Sequence, residues 1–183
     1  MSRERPVAEI FKSLRGSWRL KRTLISSIPG SLSGIFEGTA TFTPRKSKVS
    51  TYKVELLYAE KGHLKTDTGL TLSANRKYIY RYNFDEDKMS AWFVKEETKD
   101  KDGAEEVDYL FHDLEIKEGK NGWVGNGEHL CNKDMYICHY EFRLPISEDE
   151  DDEDEDMDVF GVRYKVKGPE KDYTSDTAYQ RIE

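Results

Sequence analysis

The chain has 183 residues, of which 36% are hydrophobic and 36% are charged, with a formal net charge of −7. This length suits one domain, residues 1–183, with its own apolar core. No run of about 18 apolar residues occurs, so no membrane-spanning helix and no membrane association are predicted. Charged residues near the N-terminus also argue against a secretory signal. The two cysteines, Cys131 and Cys138, are therefore expected to be reduced thiols in a cytoplasmic or nuclear protein.

The negative charge is concentrated in one segment. Residues 148–158 hold ten carboxylates and no basic residue, which leaves 26 acidic and 29 basic residues elsewhere, a body of about +3. We expect an inserted acidic loop over residues 147–158, disordered in solvent. Such a loop would attract a basic protein partner through residues 148–158 and would repel nucleic acid, so no nucleic-acid binding is predicted.

A short amphipathic helix is predicted near the N-terminus. It begins at Pro6, which suits a first helical turn, and stops before Gly16. Its apolar residues recur at i, i+3, i+4 and i+7, and these are Val7, Ile10, Phe11 and Leu14.

From Gly16 onward the hydrophobic period is two, which indicates β-strands joined by short connections. A turn is predicted at residues 61–63, between two strands. Eleven segments show this pattern and predict roughly ten strands; they are residues 17–24, 34–42, 51–60, 63–68, 76–84, 88–95, 107–116, 123–131, 135–144, 159–166 and 176–183.

These elements predict an all-β fold. No helix long enough for a β-α-β crossover lies between the strands, so the sheet is expected to be antiparallel. Closing the sheet would remove its two exposed edges. We therefore predict an up-and-down antiparallel β-barrel of about eight to ten strands, with the N-terminal helix capping one end, and a two-sheet sandwich is the alternative. A barrel of this size can hold a small ligand.

Two features carry a resemblance to known proteins. Gly16-Ser17-Trp18 opens the first strand and Arg181 ends the last, which resembles the signature of lipocalin-like (calycin) barrels, where a late arginine packs across the tryptophan of a G-x-W motif. The chain also resembles an uncharacterised family of lipocalin-like domains from fungi and bacteria, through "FKSLRGSWRLKR", "GIFEGTATF", "KYIYRY", "DYLFHDL", "GEHLCNKDMY" and "VKGPEKDYTSDTAYQR". The resemblance implies a calycin barrel closed by Trp18 and Arg181, and it implies no activity.

A tyrosine stripe on the fifth predicted strand points to a ligand. Tyr78, Tyr80 and Tyr82 share one strand face, and three buried phenols each need a hydrogen-bond partner. A filled core is the plainer interpretation, and an interior that binds a small amphipathic ligand is the functional one. The predicted ligand-binding residues are Tyr78, Tyr80, Tyr82, Arg81, His112, His129, Tyr136 and Tyr140.

The segment "NGEHLCNKDMYICHY", residues 126–140, concentrates reactive side chains on a predicted hairpin. An enzyme using His129, Cys131 and Tyr136 is one alternative, although no known motif orders them, and we expect a pocket wall instead. A metal ion or haem held by His112 and His129 is a further alternative, although the spacing of these residues matches no zinc pattern. An interaction module that uses the acidic loop or the outer barrel face is the third. No catalytic residue, metal or cofactor is predicted.

Overall fold

Ten antiparallel strands follow one short helix and close into a barrel in the computed structural model, which describes residues 5–52, 54–144 and 156–183. Each strand pairs with its neighbours in sequence, and β10 pairs with β1 to complete the wall. The predicted all-β, up-and-down barrel is confirmed, and the alternative of a sandwich is wrong. The elements are α1 Pro6–Ser13, β1 Gly16–Ser26, β2 Gly34–Lys46, β3 Val54–Thr66, β4 Thr71–Asn83, β5 Lys88–Val94, a 3-10 turn Glu96–Thr98, β6 Val107–Gly119, β7 Gly122–Cys131, β8 Asp134–Arg143, β9 Val159–Lys167 and β10 Asp172–Arg181.

Alternation of side chains explains why these segments form a barrel wall. In β1, Trp18, Leu20 and Arg22 are buried, whereas Arg19 and Lys21 between them are exposed. Successive residues of a strand point to opposite faces, so one face of each strand is free to pack in the interior while the other meets water.

The third strand is longer than the sequence indicates, because the turn predicted at residues 61–63 does not form. β3 runs through Gly62, which is the register partner of Gly38 in β2. A side-chain carbon added at Gly62 would lie 2.7 Å from the Gly38 Cα atom. Gly62 therefore marks a close approach of two strands rather than a turn.

One end of the barrel is closed around Trp18. The indole is fully buried, its N–H donates to the Leu14 carbonyl oxygen at 2.9 Å, and the Arg181 guanidinium lies 4.3 Å from its ring centre. The guanidinium also donates hydrogen bonds to three backbone carbonyl oxygens, those of Ser13, Arg15 and Met157. Arg181 thus ties the end of α1 to the start of β1 and to the segment before β9.

The helix α1 packs into the same end. Ile10 and Phe11 belong to the buried core, and the Phe11 ring lies 5.7 Å from that of Tyr82. Within the described ranges, no helix is both long and apolar enough to pass through a membrane.

The predicted acidic loop falls mainly on residues 145–155, which lie outside the described part of the chain, as does most of the predicted site for a basic partner at 148–158. The described residues at its C-terminal end include Met157, which is fully buried, and the exposed Asp156 and Asp158. The Met157 side chain belongs to the core cluster, so the segment is anchored at this point.

Candidate ligand-binding site

The barrel interior is filled at one end and open at the other. Around α1, large side chains occupy the space between the strands, among them Trp18, Phe42, Phe142 and Phe160. The opposite end, where the β1–β2 and β9–β10 connections lie, contains a cavity of about 370 Å³. Its apolar lining comprises Leu24, Leu32, Phe36, Leu64, Ala74 and Phe111, and its polar lining includes Arg22, Glu60, Arg76, Tyr78, Tyr136, Tyr164, Tyr173 and Ser175.

A buried ion pair, Arg22 on β1 and Glu60 on β3, forms the floor of this cavity. The two residues are only 9% and 3% exposed. The guanidinium donates two hydrogen bonds to the two carboxylate oxygens, at 2.8 and 2.9 Å. Arg22 Nε also donates to Thr177 Oγ1 at 2.8 Å, and the Tyr58 hydroxyl donates to Glu60. Two parallel charge-assisted hydrogen bonds fix the geometry of the floor.

Both groups of the floor are ionised at neutral pH. Burial opposes the charge on Glu60, but the hydrogen bonds and charge of Arg22 outweigh it and hold the pKa of this carboxyl below its ordinary value. Burial likewise opposes the charge on Arg22, and Glu60 raises the pKa of the guanidinium above its ordinary value. A second arginine, Arg76 on β4, lies beside the pair with its Nε 3.8 Å from Glu60 Oε1. Two cations and one carboxylate therefore leave a net positive charge at the floor.

Aromatic rings bound the cavity on another side. The ring of Phe111 lies between those of Tyr78 and Tyr164, at centroid distances of 5.7 and 5.6 Å and interplanar angles of 10° and 11°. This offset stack joins β4, β6 and β9 in the interior. It supplies apolar surface of the kind that small ligands contact.

A bulge in β6 brings two consecutive residues, Phe111 and His112, into the interior. Ala91 of β5 pairs with His112, whereas the next residue, Trp92, pairs with Leu110, so β6 has one additional residue at this point. Both Phe111 and His112 are buried. A regular strand would have directed only one of the two inward.

Four side chains behind the cavity form a hydrogen-bonded chain. His112 Nε2 contacts the Tyr164 hydroxyl at 2.9 Å, Tyr164 contacts Tyr140 at 3.0 Å, and Tyr140 contacts Tyr80 at 2.9 Å. Burial raises the pKa of all three tyrosines above the ordinary value, so the hydroxyls stay protonated. The phenols in the interior thus satisfy one another.

His112 is neutral at physiological pH. It is 2% exposed, and burial lowers the pKa of its imidazole to about 4. Its Nδ1 is a buried atom without a hydrogen-bond partner among the described residues.

The residues predicted to bind a ligand lie in several places. Tyr78 and Tyr136 line the cavity. Tyr80 and Tyr140 belong to the hydrogen-bonded chain with His112, and Tyr82 lies near the closed end, where its hydroxyl donates to Asp87. His129 lies beside the cavity wall, with its ring 5.4 Å from that of Phe111.

Arg81 lies on the outer face of the barrel, so the prediction that it anchors a ligand inside is wrong. It occupies the opposite face of β4 from Tyr80 and donates to Glu55 at 3.0 Å. Its guanidinium lies 4.8 Å from the ring centre of Tyr52 and 4.9 Å from that of Trp92. Covering by these rings explains why a side chain on the outer face is buried.

The three catalytic candidates do not form a hydrogen-bonded relay. His129 and Tyr136 are register partners with ring centres 6.1 Å apart, and the Tyr136 hydroxyl accepts a hydrogen bond from Lys171 Nζ at 2.8 Å. Cys131 pairs in register with Asp134, whose carboxylate accepts hydrogen bonds from two backbone N–H groups of the β9–β10 connection. Asp134 therefore holds a loop in place.

For a metal or haem, the two predicted histidines are separated by an aromatic ring. Phe111 lies 4.7 Å from the His112 ring and 5.4 Å from the His129 ring. Across the described stretches, no group of three or more His, Cys, Asp or Glu side chains is arranged to hold a metal ion.

Arg22, Glu60 and Arg76 are the functional candidates that the sequence analysis missed. Arg22 follows Trp18 and Leu20 on the inward face of β1, and Glu60 follows Leu56 and Tyr58 on that of β3. The available signal was a charged residue at a position where the alternation of the strand predicts a buried side chain. It identifies each residue separately, whereas their pairing depends on the strand register.

Comparisons with known proteins agree with the fold. The structure of an S-type phycobiliprotein lyase, CPES, from Guillardia theta is similar with a TM-score of 0.61 and 12% sequence identity, over 97% of this chain and 93% of that one. No curated protein matches the sequence significantly. Residues 14–181 match a family model, so the chain belongs to the DUF6314 family, which is described as a family of unknown function.

Proposed function

We propose that this barrel binds a small molecule in the cavity at its open end. The observation that carries the proposal is an unfilled interior of about 370 Å³ above a charged, buried floor. Ligand sites typically enclose about 300–1,000 Å³ and combine apolar walls with a few fixed polar groups. The Arg22–Glu60 floor and the Tyr78–Phe111–Tyr164 stack supply both parts.

The polar floor supports this interpretation on energetic grounds. Protein interiors are normally close-packed, and a buried ion pair stabilises a fold less well than apolar side chains of similar volume. The interior here has both an unfilled volume and a buried pair. A ligand that occupies the unfilled volume and contacts the floor would account for both the cavity and the buried ion pair.

The structurally similar protein suggests one of the probe molecules for a binding test. A protein of similar fold is named a phycobiliprotein lyase, and at 12% identity the likeness concerns the fold alone. A free bilin is therefore one of two probes that we propose to test. The other is 1-anilinonaphthalene-8-sulfonate, whose fluorescence rises when it enters an apolar site.

The decisive experiment fills the cavity. Ala74 lines the cavity on β4 and is exposed at its mouth, whereas the next residue, Asn75, faces away from it and is exposed too. Ala74→Trp should abolish saturable binding of the naphthyl probe, and Asn75→Trp, which adds the same ring on the other face, should leave it within twofold. Native mass spectrometry of the purified protein should detect a ligand retained through purification and give its mass.

Binding that is equally strong in both tryptophan variants would place the probe outside the cavity and overturn the proposal. Absence of saturable binding of either probe by the native chain, together with a bare mass, would also count against it.

A further inference from the structure

We infer that the ligand of this cavity is a small amphipathic monoanion, with a carboxylate-type group received by Arg76 and an apolar body against the walls. This inference rests on the proposed function and specifies the chemical class of the ligand. It is carried by the hydrogen bonds and charges at the cavity floor.

Glu60 has little capacity left for Arg76. One carboxylate oxygen accepts from Arg22 at 2.8 Å, and the other accepts from Arg22 at 2.9 Å and from the Tyr58 hydroxyl. Arg76 Nε is 3.8 Å from the carboxylate, too far for a hydrogen bond. Arg22 and Tyr58 thus occupy the Glu60 carboxylate.

The hydrogen-bond donors of Arg76 are available to a ligand. Over the ranges that the structure describes, its guanidinium makes no hydrogen bond, and its one ion pair is the 3.8 Å contact with Glu60. Its side chain is 53% exposed and borders the cavity. A guanidinium carries five N–H donors in a planar fork that matches a carboxylate. Arg76 is therefore a cation available to a ligand, whereas Arg22 is already fixed.

The charged residues at the cavity entrance do not neutralise the positive charge of Arg76. Glu170, Lys171 and Asp172 border the cavity on the β9–β10 connection, and neither carboxylate forms an ion pair with Arg76. Lys171 offsets one of the two carboxylates, and these entrance groups, like the exposed Arg76, are screened by salt and water. The apolar lining that faces the ligand includes Leu24, Phe36 and Leu64. One negative charge on an apolar body matches this arrangement.

The test uses two probes that differ only by the anion. The probe 1-anilinonaphthalene-8-sulfonate carries a sulfonate, and N-phenyl-1-naphthylamine has the same rings without it. Arg76→Met should raise the Kd of the anionic probe about tenfold, the loss expected for one charge-assisted contact, and should leave that of the neutral probe within twofold. Arg76→Lys, which keeps the charge, should retain most of the affinity. Added salt should weaken only the anionic probe.

Lys61→Met is the matched control. Lys61 follows Glu60 on β3, points to the outer face and is exposed, so the variant removes the same charge away from the cavity. It should leave both Kd values within twofold. Equal thermal unfolding midpoints of the Arg76 variants and the native chain would establish that the fold is intact, and Arg76→Gln serves as a second variant if Arg76→Met fails to fold.

The outcomes separate the two proposals. If Ala74→Trp blocks the anionic probe but Arg76→Met does not weaken it, the cavity binds ligands and the monoanion inference is overturned. If Ala74→Trp blocks neither probe, the proposed function itself fails.

Discussion

Arg22 of β1 and Glu60 of β3 share two hydrogen bonds of 2.8 and 2.9 Å inside the barrel, although 38 residues separate them in sequence. The strand between them, β2, is paired with both. The pair therefore depends on the register of the strands, because a shift of one residue in either strand would turn one partner to the outer face.

Removal of one partner should destabilise the fold more than removal of both. Glu60→Leu leaves the Arg22 guanidinium buried without its carboxylate, which we expect to lower the free energy of unfolding by about 3–5 kcal/mol. Arg22→Met combined with Glu60→Leu should recover most of that loss. Urea unfolding of the native chain, of Glu60→Leu and of the double variant measures these free energies. The exposed pair Lys21–Glu37, treated in the same way, should change stability by no more than about 1 kcal/mol, and equal losses in the two pairs would contradict the assigned burial.

Arg181 should be irreplaceable by lysine. Its planar group contacts the Trp18 indole and donates to three carbonyl oxygens, whereas an ammonium cannot span those positions. We expect Arg181→Lys to lower the free energy of unfolding by about 2 kcal/mol or more. Arg163→Lys, at an exposed ion pair with Asp176, is the control and should have little effect. An unchanged unfolding midpoint in Arg181→Lys would show that this closure is not required.

His112 should make stability depend on pH between about 6.5 and 4. In the unfolded chain histidine has a pKa of about 6.5, whereas burial lowers the pKa of folded His112 to about 4. Between these values the unfolded state binds a proton that the native state does not, so stability falls as pH falls, by up to about 3 kcal/mol. His112→Gln should remove this part of the slope, and His139→Gln, at a partly exposed side chain, should not. Parallel slopes in the native chain and His112→Gln would refute the assignment.

The two thiols should differ in reactivity. Cys138 is 1% exposed, and burial raises the pKa of its thiol to about 12, whereas Cys131 is partly exposed. Since the thiolate is the reactive form, iodoacetamide at pH 8 should alkylate the native protein once, at Cys131, and a second time only in denaturant. Peptide mapping by mass spectrometry identifies the site. Alkylation of native Cys138 would show that the wall opens there.

Side-chain periodicity predicted the barrel because most strands keep a period of two over their whole length. Trp18 and Arg181, at opposite ends of the chain, were placed together by their resemblance to a known signature, and they are register partners. The same periodicity was misread at Gly62, where glycine indicates either a turn or a close strand approach.

The site was harder to predict because it depends on relations between strands. Arg81 and the tyrosines of β4 alternate correctly, but the sequence does not show that Tyr52 and Trp92 cover Arg81 on the outer face. The bulge that turns Phe111 and His112 to one side has no single-residue signal. Tyr80 and Tyr140 were predicted ligand contacts, and their partners turned out to be other side chains, since hydroxyls from different strands meet in the interior.

The most direct test of a ligand in the open end is a two-dimensional NMR titration of the 15N-labelled protein with 1-anilinonaphthalene-8-sulfonate. We predict saturable shift changes at the cavity residues Leu64, Ala74 and Ser175, and none at the indole N–H of Trp18, which lies at the closed end. Changes confined to the closed end or to the outer face, or no saturable change at any residue, would contradict the account.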